Sequence, residues 1–379
     1  MIEPETDKYP RNIGSFSRPF STHHTTKLFF LPQHLNSLSL HMESNPPFQN
    51  AYKTLFQTSQ PNEEEKNNHS KRSAVVGDGS DLPLIDLSRL SLSDGEKEAC
   101  KRQIVDASAE WGFFQVKNHG ISREILEKIR HEQNKLFLQP FEKKATEKVL
   151  DFSADCYRWG TPTATSLRQF SWSEAFHIPL VRTTDAMDAG EFSGLRSTME
   201  EFAAPVSDLA HRLAEILAEN LGHKSNYFME NCSSSTCFLR LNRYPACPIS
   251  SDVYGLMPHT DSDFITILYQ DQVGGLQLLK DGRWITVKPN SETLIVNIGD
   301  LFQAWSNGAY KSVEHRVMTN TQAERYSIAY FMCPSYDTVI ESCIQPSMYR
   351  KFSFREYRQQ VQDDVRTIGS KVGLPRFLI

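Results

Sequence analysis

The chain has 379 residues, enough for one large or two small domains with a full core. It is 39% hydrophobic and 23% charged with a formal net charge of −5, an ordinary globular balance that gives no basis for binding nucleic acid or an anionic membrane surface. No apolar run approaches the roughly 18 residues a membrane span needs.

The first 80 residues differ from the rest and read as a disordered N-terminal extension and linker. Residues 8–42 carry no acidic side chain, which is faintly like a transit peptide, but Glu3, Glu5 and Asp7 at the start are wrong for one. Met42 could equally open the chain, with residues 1–41 an extension or an upstream start.

Leu82–Leu87 reads as a short strand. Ser93 with Glu96 forms a capping-box pattern ahead of a helix reaching Trp111. Phe113–Lys117 is a strand, Asn118-His119-Gly120 a turn with a structural histidine, and Ser122–Leu138 a helix stopped before Pro140. Val206, Leu209, Leu213, Leu217 and Leu221 stripe one helical face, with Pro205 in the first turn and Gly222 at the stop. From Cys237 to Met332 the pattern is strands and turns, including a hairpin signal at Lys280-Asp281-Gly282-Arg283. Phe354, Tyr357, Val361, Val365 and Ile368 stripe a C-terminal helix. Helices come first and strands later, an α+β order. Seven cysteines, an odd count with no Cys-x-x-Cys, read as free thiols in a reducing compartment, so the chain is placed in the cytoplasm.

The strand-rich region holds the chemistry. His259-Thr260-Asp261 is followed far downstream by His315 and then by Arg325-Tyr326-Ser327. Two imidazoles and one carboxylate can hold a ferrous ion on one face and leave the other face open. No other histidine has an aspartate two residues on. In a strand, residues two apart share a face, so His259 and Asp261, Arg325 and Ser327, and Asn242 and Tyr244 can all point into one interior. Arg325 suits a carboxylate because a guanidinium offers two parallel hydrogen bonds, and Ser327, Tyr244 and Asn242 are candidate helpers.

The chain resembles the plant iron(II)- and 2-oxoglutarate-dependent dioxygenases over nearly everything after about residue 80. The matching segments are Trp111-Gly112-Phe113-Phe114-Gln115-Val116, Asn242-Arg243-Tyr244-Pro245, His259-Thr260-Asp261, Asn297-Ile298-Gly299-Asp300, Ser312-Val313-Glu314-His315 and Arg325-Tyr326-Ser327. Tyr157-Arg158-Trp159-Gly160, Ser171-Trp172-Ser173-Glu174 and Phe302-Gln303-Ala304-Trp305 are most similar to the gibberellin 2-oxidases acting on 20-carbon gibberellins.

The resemblance implies a double-stranded β-helix, or jelly roll, at 235–336. A helix-and-strand region at 81–225 and a C-terminal helix and tail at 337–379 would buttress it. It also implies Fe(II) on His259, Asp261 and His315, with 2-oxoglutarate on Arg325, Ser327, Tyr244 and Asn242. O2 is then the second cosubstrate and ascorbate a supporting reductant. The implied reaction is hydroxylation at carbon 2 of a 20-carbon gibberellin; the chain is read as a monomer by default, with self-association left open. The substrate is a rigid apolar ring system with carboxylates, so its pocket should be apolar with one or two cations. Tyr157, Arg158, Trp159 and Trp172 are candidates, unless the aromatics simply pack the core. A flavonoid dioxygenase, a non-catalytic binding protein and a His2Asp zinc hydrolase stay open as other readings.

Overall fold

A computed structural model describes residues 44–58, 82–146, 156–180, 193–223, 226–232, 236–249 and 253–379. Residues 1–43 and 59–80 of the expected extension and linker fall outside these residues, but 44–58 corrects the expectation of disorder: short helices at Phe48–Ala51 and Lys53–Thr58 bury Phe48 and Leu55 against Phe170 and Trp172.

Among the described residues, fourteen strands form the framework. In chain order the first seven are β1 Leu84–Asp86, β2 Phe113–Lys117, β3 Tyr157–Trp159, β4 Glu174–Pro179, β5 Phe238–Tyr244, β6 Tyr254–His259 and β7 Ile265–Gln270. They continue as β8 Leu276–Lys280, β9 Arg283–Thr286, β10 Leu294–Ile298, β11 His315–Met318 and β12 Arg325–Met332, with a small pair, β13 Val339–Ile340 and β14 Phe352–Ser353. The major sheet runs β1-β2-β10-β7-β12-β5-β4-β3 and the minor one β6-β11-β8-β9. These two sheets are the walls of a double-stranded β-helix, as expected. Strands from the N-terminal half extend the major sheet at both edges, β2 pairing with β10 and β4 with β5.

The strand chemistry is legible residue by residue. The β7, β10 and β12 segments are buried along nearly their whole length, which fits strands covered on both faces. The hairpin between β8 and β9 turns at Asp281 and Gly282, both with positive φ, as a two-residue primed turn requires.

Among the described residues, four long helices pack against the sheets: α1 Asp94–Glu110, α2 Arg123–Phe137, α3 Ser193–Asn220 and α4 Phe354–Ile368. Ser122 and Ser353 cap α2 and α4 through their hydroxyls, and Gly369 ends α4 in a left-handed conformation. Two expectations need correction. Ser93 sits at the N-cap of α1 but makes no side-chain cap, and Glu96 pairs with Arg89 at 2.6 Å rather than turning back to Ser93, so the capping box does not form. Pro205 lies inside α3 rather than in its first turn. Buried Leu195, Met199 and Phe202 extend the apolar stripe upstream of Val206, and this burial outweighs the roughly 3 kcal/mol a mid-helix proline costs. All seven cysteines are free thiols.

Candidate metal and cosubstrate site

The two sheets face each other across a cavity of about 480 Å³. His259 ends β6 and His315 begins β11, and the two are register partners, so pairing alone sets their rings side by side at 4.3 Å between centroids. Asp261 follows β6 directly. One ligand atom from each of His259, Asp261 and His315 lies within 4.8 Å of the others, close enough to share one ion.

Each ligand is oriented by a second contact. Nδ1 of His259 lies 2.8 Å from the Met257 carbonyl and Nδ1 of His315 lies 3.1 Å from that of Val313. A carbonyl only accepts, so both Nδ1 atoms carry protons and both Nε2 lone pairs point inward. The Nε2 atoms lie 3.6 and 3.8 Å from Asp261 Oδ1. Asp261 Oδ2 faces away and accepts from Thr266 Oγ1 at 2.6 Å and Asn297 Nδ2 at 2.8 Å. Burial opposes the Asp261 charge, but the two imidazoles and these donors win and hold it at about 2. Burial, and then His315, push His259 down to about 3, so it is neutral. A neutral imidazole beside an ionised carboxylate is the state a metal needs.

Asp263 differs. Burial and then the Asp261 charge raise it well above the carboxylate range, so it is protonated and can donate to Thr266 Oγ1 at 2.9 Å, which in turn donates to Asp261. Gly299 sits against Asp263 so tightly that any Cβ would collide with its backbone and carboxyl oxygens. The loop between the ligands is also strapped from the C-terminal tail. Lys371 Nζ donates to the Thr260 carbonyl at 2.9 Å, to Ser262 Oγ at 2.8 Å and to Asp300 at 2.7 Å.

The cosubstrate candidates line the facing wall. Arg325 and Tyr244 are register partners across β12 and β5, as are Ser327 and Asn242. All four line the cavity. Arg325 is 2% exposed, donates to Gln270 Oε1 at 2.8 Å, and lies 4.9 Å from the Tyr244 ring centre. Its Nε is buried without a partner, and no carboxylate pairs with it among the described residues. A buried guanidinium with an orphaned donor fits a carboxylate ligand, the end of 2-oxoglutarate remote from its keto group. The triad fits iron on the same terms: two imidazole nitrogens and a carboxylate oxygen converge on one side, with open cavity on the other.

All seven residues singled out in the sequence line the one cavity, and the contacts that support them lie outside the motifs. Gln133 of α2 donates to the Asn242 and Ser327 carbonyls at 3.1 and 2.8 Å and so fixes both strands behind the site. Of the two readings of the aromatic candidates, packing away from the cavity is the one the structure bears out. Trp159 and Trp172 pack on Phe48 in a separate apolar cluster, and Tyr157 donates to Glu174; none lines the cavity. Arg158 is exposed and does not line it either. His119 accepts from the Ile121 amide within its turn, the structural role expected.

Residues 235–334 match the model of the 2OG-Fe(II) oxygenase superfamily, and residues 82–198 match that of the non-haem dioxygenase in morphine synthesis N-terminal region. The chain is 60% identical to gibberellin 2-beta-dioxygenase 8 of Arabidopsis thaliana, covering 88% of this chain and 98% of that one. It is 53% identical to gibberellin 2-beta-dioxygenase 6 of Oryza sativa subsp. japonica, over 80% and 88%. The crystal structure of JOX2 with 2OG, Fe and JA superposes with a TM-score of 0.67 at 31% identity, covering 82% of this chain and 93% of that one. The rice dioxygenase for auxin oxidation does so with 0.64 at 29%, over 79% and 100%. The chain therefore belongs to the 2OG-Fe(II) oxygenase superfamily, among the gibberellin 2-beta-dioxygenases.

Proposed function

We propose that this chain hydroxylates carbon 2 of 20-carbon gibberellin precursors, inactivating the hormone pathway. The reading rests on one observation above the others: the three ligand atoms share a site that opens into the cavity lined by Arg325. The 60% identity to a gibberellin 2-beta-dioxygenase over nearly its whole length supports the substrate class.

When bound, ferrous iron with 2-oxoglutarate and O2 supplies the oxidising power that converts the keto acid to succinate and CO2 and places a hydroxyl on carbon. The chain's residues bind, orient and exclude water. His259, Asp261 and His315 hold the metal. Arg325 and Ser327 take the far carboxylate of 2-oxoglutarate, with Tyr244 beside them, while Asn242 orients the chelating end. No side chain is asked to act as a general base. The apolar wall formed by Phe113, Leu256, Leu268 and Val317 keeps the reacting region dry. Residues 235–336 carry the site, while 81–225 and 337–379 support it. The free cysteines fit a cytoplasmic location, where ascorbate would keep the iron reduced. No helix among the described residues is long and apolar enough to cross a membrane.

The test is a product assay with Fe(II), ascorbate and 2-oxoglutarate against 20-carbon gibberellins, 19-carbon gibberellins and flavonoids in parallel. The expected result is a 2-hydroxylated 20-carbon product in step with succinate. Turnover of flavonoids with none of either gibberellin class refutes the assignment.

A further inference from the structure

The walls of the cavity carry more positive charge than the metal and 2-oxoglutarate explain. Four cations line it: Arg240, Arg325, Arg358 and Lys371. Lys371 is neutralised by Asp300 at 2.7 Å, and Arg325 is the cosubstrate anchor. The only lining carboxylates are Asp261 and Asp263, both at the metal end. Neither Arg240 nor Arg358 has a carboxylate in ion-pair range among the described residues. Arg240 donates through Nε to Asn242 Oδ1 at 2.9 Å, which leaves its two terminal nitrogens without a bond among the described residues. Arg358 donates to the Tyr336 hydroxyl at 2.7 Å and has further donors to spare.

Strand register places Arg240 well apart from the cosubstrate anchor. Arg325 pairs with Tyr244, Ser327 with Asn242, Ala329 with Arg240 and Phe331 with Phe238. All eight residues line the cavity, so this is one face of two strands. Arg240 lies four residues along from Tyr244, roughly 13 Å at strand rise. One small diacid seated on Arg325 and the metal does not need both ends of that row. His177 of β4 pairs with Arg240 on its other side, and its ring lies 3.9 Å from that of Phe238. Phe238 in turn stacks on Phe331 at 4.4 Å. Helix α4 closes the far side, with Phe354, Arg358, Val361 and Val365 facing the cavity on one helical stripe. His177 shares this corner: burial, then the charges of Arg240, Arg358 and Arg158, push its imidazole down to about 3.

We infer that Arg240 and Arg358 form a second carboxylate subsite, which anchors an acid group of the substrate while the Phe238–Phe331 pair lies against its apolar rings. A partly buried guanidinium without a counter-ion is costly, and the cost is relieved when a ligand brings the charge. An anchor at this end would also fix which ring carbon points toward the metal. The inference rests on the gibberellin reading for its substrate but requires only a rigid apolar monoacid, so the two can fail separately.

The experiment has two arms on the Fe(II)- and 2-oxoglutarate-loaded enzyme. The first measures binding of adamantane-1-carboxylate and its methyl ester anaerobically. The wild type should hold the acid at least tenfold more tightly than the ester, and Arg240→Gln and Arg358→Gln should each abolish that preference. The second measures kcat/KM for a 20-carbon gibberellin and its methyl ester. The wild type should favour the acid by about 10- to 100-fold, mainly through KM, and Arg240→Lys should retain more of this than Arg240→Gln. Equal handling of acid and ester by the wild type overturns the subsite whatever the variants do. So does a variant that loses acid and ester in parallel. If the binding arm succeeds and no gibberellin turns over, the substrate assignment fails and the subsite stands.

Discussion

Replacing Glu174 with glutamine tests how the site's back wall is held. Glu174 and Lys144 are fully buried, 0% exposed, and paired at 2.6 Å; Arg243, 1% exposed, donates to the other Glu174 oxygen at 2.8 Å. Tyr157 adds a third donor at 2.5 Å. Glu324 pairs with Arg243 at 2.8 Å, so two cations face two carboxylates and the group is neutral. The amide keeps the shape but removes one charge, leaving a buried net positive charge, and one-sided removal of this kind costs about 3–5 kcal/mol. With an unfolding entropy of about 2.1 cal/mol/K per residue over about 300 residues, melting should fall by roughly 5–8 °C. Arg243 lies between Asn242 and Tyr244 on β5 and projects to the opposite face, so the cluster grips the strand that presents both cosubstrate candidates. Calorimetry on the wild type, Glu174→Gln, Lys144→Met and the double variant checks the reasoning. The double variant leaves only the neutral Arg243–Glu324 pair and should be more stable than Glu174→Gln alone. A Glu174→Gln melting point within about 1 °C of wild type, or strictly additive single effects, would refute the account.

Three further outcomes are expected. Asn297→Ala removes one of two donors fixing Asp261 Oδ2 and should weaken Fe(II) binding by about 10- to 100-fold in an anaerobic titration, leaving secondary structure by circular dichroism unchanged. Arg325→Lys keeps a charge but loses the fork; the KM for 2-oxoglutarate should rise at least tenfold with iron affinity little changed, and the opposite pattern would reassign the residue. His177, held near 3 by burial and the surrounding arginines, is neutral when folded and gains a proton when unfolded below about 6.5. Its contribution is therefore present above pH 6.5 and lost as pH falls toward 3. Between pH 7 and 5 the metal-free wild type should lose about 2 kcal/mol more stability than His177→Gln in urea titrations.

The central site was legible because its signals are local. His259 and Asp261 sit two residues apart, and Arg325 and Ser327 repeat the interval on a strand whose hydrophobic pattern is plain. Arg240 was open to the same reasoning, lying two residues before Asn242 on the same face, but a lone arginine in a strand carries no sign of what it faces. Lys371 and Gln133 could not be found this way. Their contacts span more than one hundred residues of chain, from Lys371 to Thr260 and from Gln133 to Asn242, and nothing near either residue records the partner. Trp159 and Trp172 stayed open between pocket and core for a related reason: an aromatic run reads alike whether it lines a pocket or meets Phe48 of a distant segment. Pro205 was read by local propensity, and tertiary burial of the preceding turns overrode it.

The shared grip of His259, Asp261 and His315 on one ferrous ion is tested most directly by anaerobic Fe(II) titration of the metal-free chain, wild type beside His315→Ala. The account expects one ion per wild-type chain, tighter 2-oxoglutarate binding once iron is present, and loss of both in the variant. Undiminished iron affinity in His315→Ala, or a wild type that binds 2-oxoglutarate equally well with and without metal, would contradict it.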